Sequence, residues 1–186
     1  MQRNSATAVF VACLVSLFTV SAFAFSAQQP QQLNNLTDSE LKEVGIQLQR
    51  STCYGNCPGY SLKVFGDGRV EYVGDKFVKT TGKREGNVDP SVIKQLLAEF
   101  EKAGFLTMKQ YPERDCKCTL CTDMPTVTTA ILVKGKEQKV EHYYGCRCAP
   151  KELWDLEAAI DRIVGTQQWT GDVSKAGPFA TTCFGR

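Results

Sequence analysis

The chain carries a single histidine, three methionines and two tryptophans in 186 residues. One histidine leaves little room for imidazole chemistry. A hydrolase of the Ser–His–Asp or Cys–His type would have to use His142, and no Gly-x-Ser-x-Gly elbow is present to present a nucleophile. No basic stripe with interleaved aromatics occurs. Lysines and acids are interspersed from Lys79 to Glu85 and from Glu99 to Lys102, and the formal net charge is only +2, so nucleic acid is not an expected partner. No second long apolar run follows the first twenty or so residues, so no membrane span is expected once that stretch is removed. No catalytic residue and no cofactor is assigned from the sequence.

What the chain does have is cysteine, nine in all, and a leader to match. Arg3 opens a short basic start, and Ala8 to Val20 is an apolar run too short for a comfortable span. Ala22-Phe23-Ala24 fits a small-x-small cleavage site, so residues 1–24 read as a secretory signal cut after Ala24. Cys13 lies inside the apolar run rather than at its end, where a lipid-attachment cysteine would stand. The reading is an exported protein, periplasmic or extracellular. Residues 25–43 are a polar linker with a short helix capped by Thr37 and Glu40, 44–170 a single domain, and 171–186 a tail tethered by Cys183.

Eight cysteines remain after cleavage: Cys53, Cys57, Cys116, Cys118, Cys121, Cys146, Cys148 and Cys183. An even number in an oxidising compartment predicts disulfides. Cys53 and Cys57 flank a Gly-Asn turn and suit a local bridge. Cys-x-Cys neighbours rarely bridge each other without strain, which disfavours 116–118 and 146–148. Two bridges between the 116–121 and 146–148 loops are expected, with one loop cysteine left for Cys183. Closing the intervening stretch of thirty or so residues stabilises by about 3–4 kcal/mol on the chain-entropy account. The alternative is metal: Cys116, Cys118, Cys121, Cys146 and Cys148 offer five thiolates where zinc needs four. A copper reading would pair Cys53 and Cys57 with His142, in the manner of exported copper chaperones of thioredoxin-like fold. Cys57, however, runs into a hairpin rather than the helix that fold requires. Thiol exchange at Cys53 and Cys57 would need a lowered thiol pKa from a helix N-terminus or a cation; Arg50 is near, but no helix begins there.

The strand and helix signals are clear. Ile46 and Leu48 alternate into Arg50; Tyr60, Leu62 and Val64 alternate with polar neighbours; Gly66-Asp67-Gly68 follows, its Asp-Gly supplying the positive φ of a tight two-residue hairpin turn; Val70 and Tyr72 return the chain. Lys76 to Thr81 and Lys83 to Val88 read as a third strand and an edge strand. Asp89-Pro90 starts a helix with Val92, Ile93, Leu96, Leu97 and Phe100 on one face, closed by Gly104. Asp115 and Asp123 are read as turn-holding residues rather than ligands. Thr126 to Val133 and Glu137 to Tyr144 form a hairpin about Lys134-Gly135-Lys136, with His142 expected to be partly exposed. Pro150 opens a last helix with Leu153, Trp154, Leu156, Ile160, Ile163 and Val164 buried. Trp169 is expected to pack back on the core. The order predicts an α+β fold: one antiparallel sheet of five to seven strands with two amphipathic helices on one face.

Residues 50–74, Arg-Ser-Thr-Cys-Tyr-Gly-Asn-Cys-Pro-Gly-Tyr through Gly-Asp-Gly to Tyr-Val-Gly, resemble the signature of a family of exported bacterial proteins, the domain-of-unknown-function 6438 family. The resemblance extends through Asp89-Pro90, Thr122-Asp123-Met124-Pro125 and Tyr143-Tyr144-Gly145 to the helix ending at Ile163, covering roughly residues 44–170. It implies no activity. Two functional readings follow from the residues. The first is a non-enzymatic, disulfide-stabilised domain binding a protein or another envelope component. The second is a thiol-redox or metal-binding protein using the cysteines.

Overall fold

A computed structural model describes residues 33–111, 122–145 and 148–171. Among them lies one sheet of six antiparallel strands, β1 (Gly45–Arg50), β2 (Tyr60–Phe65), β3 (Arg69–Gly74), β4 (Gly82–Asn87), β5 (Thr126–Val133) and β6 (Lys136–Tyr143). Their spatial order is β4-β3-β2-β1-β5-β6. Four helices accompany it: α1 (Asp38–Lys42), α2 (Pro90–Lys102), α3 (Lys151–Val164) and the single turn α4 (Gln167–Thr170). The expected α+β architecture holds, with the two long helices on one face.

Period-two alternation aligns across the strands because the register is unbroken. Val70, Val64, Ile46 and Ile131 form one buried row, and Tyr72, Leu62, Leu48, Thr129 and Val140 the next. Against these rows pack Ile93, Leu96, Leu97 and Phe100 of α2 and Leu153, Leu156 and Ile160 of α3, all within one core. Both helices begin and end where the sequence directs. Asp89 accepts a hydrogen bond from Ser91 N ahead of Pro90, and Gly104 and Gly165 stand at positive φ just past the helix ends, where a side chain would be strained. Thr37 and Glu40 form the reciprocal capping box of α1. The opposite face of the sheet carries polar residues such as Gln47, Gln49, Lys63 and Glu71 alongside the exposed Val73 and Leu132. No helix of the described residues is long and apolar enough to cross a membrane.

Three local expectations need correction. The β2–β3 connection is a three-residue loop, not a tight two-residue turn. Only Gly68 has positive φ, while the Asp67 carboxylate accepts from Arg69 N and so makes the Asx turn that sets the return. Lys76 to Thr81 forms no strand: Phe77 sits at φ 56, a backbone that leaves the extended region, and only Gly82–Asn87 pairs with β3. The β5–β6 turn is shorter than expected, because Lys134 and Gly135 both take positive φ and close a two-residue hairpin between Val133 and Lys136. Trp169 does pack back, stacking on Tyr72 with ring centroids 5.1 Å apart.

Candidate functional site

The third row of the buried sheet face is not apolar. Arg50 ends β1, opposite Tyr60 on one side and Val127 on the other; Val127 in turn lies opposite His142. The alternation that buries Ile46 and Leu48 turns Arg50 to the core, and that burying Val140 does the same for His142. α3 closes over this row with Glu157 and Asp161, one turn apart on its sheet-facing stripe.

Asp161 is the acceptor for one half of the cluster. Its Oδ2 accepts from Arg50 Nη2 at 2.9 Å and Nε at 3.1 Å, and its Oδ1 from Tyr60 Oη at 2.6 Å and Thr166 Oγ1 at 2.8 Å. Arg50 also donates to Tyr60 Oη, to Tyr144 Oη at 2.8 Å and to the Glu157 carbonyl at 3.2 Å. Glu157 serves the other half. Its carboxylate accepts from Tyr144 Oη at 2.7 Å, and His142 Nδ1 lies 3.0 Å from Oε1. A carboxylate only accepts, so the Nδ1 proton is assigned to that contact. His142 and Glu157 side chains are wholly buried, and those of Arg50 and Asp161 are 16% and 21% exposed, which removes the pair from the class of solvated surface bridges. The His142 ring stands edge-on to Trp154 at 4.3 Å, with Tyr144 stacked obliquely on Trp154 at 4.2 Å.

Two elements of this cluster differ from the sequence reading. His142 is fully buried, not partly exposed. Glu157 and Asp161 pass unnoticed in a sequence scan that looks only for apolar positions on α3, although both lie on the stripe marked by Leu153, Ile160 and Val164.

Burial disfavours the charged form of Arg50, yet the surrounding Tyr144, Asp161, Tyr60 and Glu157 outweigh it and hold the guanidinium well above its ordinary range. Tyr60 and Tyr144 move the same way. Burial is the main cause for each, with Arg50 opposing and Asp161 or Glu157 adding. Burial and Asp161 push Tyr72 up to about 12. These phenols therefore stay protonated, with Tyr60 donating to Asp161 and Tyr144 to Glu157. A raised phenol pKa contributes stability that is complete below the unfolded value near ~10 and is lost as pH climbs toward the folded values. Tyrosinate absorbance followed with circular dichroism is expected to show Tyr60, Tyr72 and Tyr144 ionising late, together with alkaline unfolding. Early ionisation of these tyrosines in the folded protein would contradict the geometry.

Two members of the cluster, Arg50 and Tyr144, form the floor of a cleft of about 210 Å³ that is also lined by Ser51, Cys57, Pro58, Pro125 and Val127. Three chain segments meet there through backbone bonds. Ser51 N donates to Thr126 O, Tyr54 N to Asp123 O and Tyr144 N to Pro125 O. Cys53 and Cys57 are joined by a disulfide, which on the chain-entropy account stabilises so short a loop by about 2 kcal/mol. The bridge holds Tyr54 out at the loop tip, 91% exposed. Asp123 adopts positive φ, in keeping with a turn role. Cys148 is also disulfide-bonded, so its sulfur is not a free thiolate for a metal. Cys116, Cys118, Cys121, Cys146, Cys183 and Asp115 lie outside the described residues. No group of three metal-ligating side chains occurs among the described residues.

An open six-stranded antiparallel sheet with two helices on one face, a buried Arg–Asp–Glu–His–Tyr row at one end and a disulfide-closed loop above it defines the structural class. The chain belongs to the family described as Domain of unknown function (DUF6438), whose match spans residues 44–164. No curated protein matches the chain.

Proposed function

We propose that this chain is an exported, non-enzymatic binding domain of the cell envelope, braced by disulfides, with the loop surface around the Cys53–Cys57 bridge as its contact region. One observation carries the reading: three loops are locked around an apolar cleft whose floor residues, Arg50 and Tyr144, are committed to the network behind them. Arg50, Tyr60, Tyr144, Glu157 and Asp161 are tied into a single hydrogen-bonded set. Such a floor is pre-organised, and binding to it orders little further. The signal-like residues 1–24 and the cysteine content support export.

The test places a photoreactive residue at Tyr54 and, in a separate variant, at Lys83 on the far edge strand, in cells producing the whole chain. A discrete adduct from position 54, absent from position 83, is expected, on a protein whose mature N-terminus is Phe25. Equal labelling from both positions, or none, would overturn the contact surface; retention of residues 1–24 would overturn the signal reading.

A thiol-exchange reading is favoured by one detail, that Cys57 itself lines the cleft. A partner thiolate would attack Cys53 Sγ, the Cys53–Cys57 bond would break, and Cys57 would leave as thiolate. A second thiolate of the partner would then attack the partner's sulfur in the mixed disulfide, releasing the partner as its own disulfide and leaving Cys53 and Cys57 as the reduced dithiol. Cys57→Ser leaves Cys53 as the thiol of that loop. Accumulation of a mixed disulfide through Cys53 would favour exchange over simple binding.

A further inference from the structure

We infer that the cleft beside Arg50 takes an uncharged apolar side chain of an extended peptide, together with one neighbouring backbone carbonyl. This rests on the binding reading above and specifies its ligand.

Size gives the first constraint. At about 210 Å³, the cleft is smaller than the ~300–1,000 Å³ that holds a drug-sized molecule, but it suits one side chain. Its walls give the second. Cys57, Pro58, Pro125, Val127 and the Tyr144 ring offer apolar surface. Of the two hydroxyls in the lining, Tyr144 Oη accepts from Arg50 and donates to Glu157, and Ser51 Oγ is turned into the backbone, accepting from Thr126 N and donating to Thr52 O. Rigid prolines and an aromatic ring are a low-entropy surface for an extended segment.

Charge gives the third constraint and selects against ions. The one cation in the lining, Arg50, already faces Asp161, and Glu157 lies directly behind it with His142. The set therefore carries no net positive charge in either protonation state of the histidine. A carboxylate brought to the cleft finds a guanidinium already matched, with a second carboxylate behind it. An ammonium finds the guanidinium edge first.

The donor inventory gives the fourth. A guanidinium has five N–H bonds. Nε and both protons of Nη2 are taken up by Tyr60, Asp161 and the Glu157 carbonyl, and one proton of Nη1 by Tyr144. Among the described residues one Nη1 proton has no acceptor, and Arg50 lines the cleft. A neutral carbonyl oxygen satisfies it without adding charge, so the ligand is apolar with a single acceptor.

Three probes separate the possibilities on the full mature chain: N-acetyl-leucine N-methylamide, which is neutral; N-acetyl-leucine, which is anionic; and leucine N-methylamide, which is cationic. Nitrogen-15 shift mapping is expected to show saturable shifts at Val127, Tyr144 and the Arg50 side-chain N–H with the neutral probe. Its affinity is expected to exceed that of either charged probe by about tenfold. Ser51→Tyr, at an exposed rim position, is expected to abolish the shifts, with spectral changes of its own confined to Thr52, Thr126 and their neighbours, whose bonds to the Ser51 hydroxyl it removes. Equal or tighter binding of the anionic probe, or shifts that map elsewhere, would overturn the inference. Silence from all three probes while the residue-54 photo-adduct persists would sink the ligand class and leave the binding reading standing. Loss of the adduct as well would remove both.

Discussion

Arg50→Met is expected to destabilise the domain by about 3–5 kcal/mol, the range for breaking a buried ion pair by removing one partner. The substitution keeps apolar volume but leaves Asp161 with the Tyr60 and Thr166 hydroxyl donors and no countercharge, and takes the guanidinium away from Glu157. For a domain whose total stability is on the order of 5–15 kcal/mol, that is a large share, and urea unfolding reads it directly. Arg50→Lys is expected to recover only part. Lysine restores the charge, but a point-like ammonium cannot bridge Asp161, Tyr60, Tyr144 and the Glu157 carbonyl at once. A loss below about 1 kcal/mol for the methionine variant would place Arg50 among ordinary surface pairs.

Glu157→Leu is expected to cost a comparable about 3–5 kcal/mol, by a different route. Leucine fits the apolar stripe of α3, so little packing is lost. The cost comes from His142 Nδ1 and Tyr144 Oη, which lose their shared acceptor inside the core, and a buried donor without a partner is penalised in full. Adding His142→Leu removes one orphan, so the double variant is expected to be more stable than Glu157→Leu alone. Additive losses in the double-mutant cycle would show that the two side chains do not act as a unit.

These two positions also mark where the sequence could be read and where it could not. The β2–β3 hairpin, the Asp89-Pro90 helix start, the Gly104 and Gly165 stops and a sheet of five to seven strands follow from short-range rules, because period, caps and turn residues act within a few positions. The Cys53–Cys57 bridge was also accessible, since a four-residue separation confines the two sulfurs. The polar row was harder. Arg50 and His142 occupy the buried phase of their strands, two residues beyond Leu48 and Val140, so a strict alternation count points both inward. Charge in such a position reads as solvent-facing unless a partner is known, and the partners Glu157 and Asp161 lie over a hundred residues from Arg50. Pairing across that distance depends on the strand order that sets β1 beside β5 and on α3 returning over β1 and β2. No local pattern encodes it. The missing strand at Lys76 to Thr81 has a different cause. Positive φ at Phe77 is unfavourable for an aromatic residue, and only the surrounding fold imposes it.

The account of the cleft depends on the Arg50 guanidinium being locked inside the fold, with its charge satisfied internally. The direct measurement is solvent exchange of the Arg50 Nε proton, assigned through loss of its resonance in Arg50→Lys. The geometry predicts a slowly exchanging, shifted signal that persists to mildly alkaline pH, because that proton is held between Tyr60 Oη and Asp161 Oδ2. Exchange as fast as that of the exposed Arg69, whose side chain is 57% accessible, would show a solvated guanidinium and contradict both the buried cluster and the neutral cleft built on it.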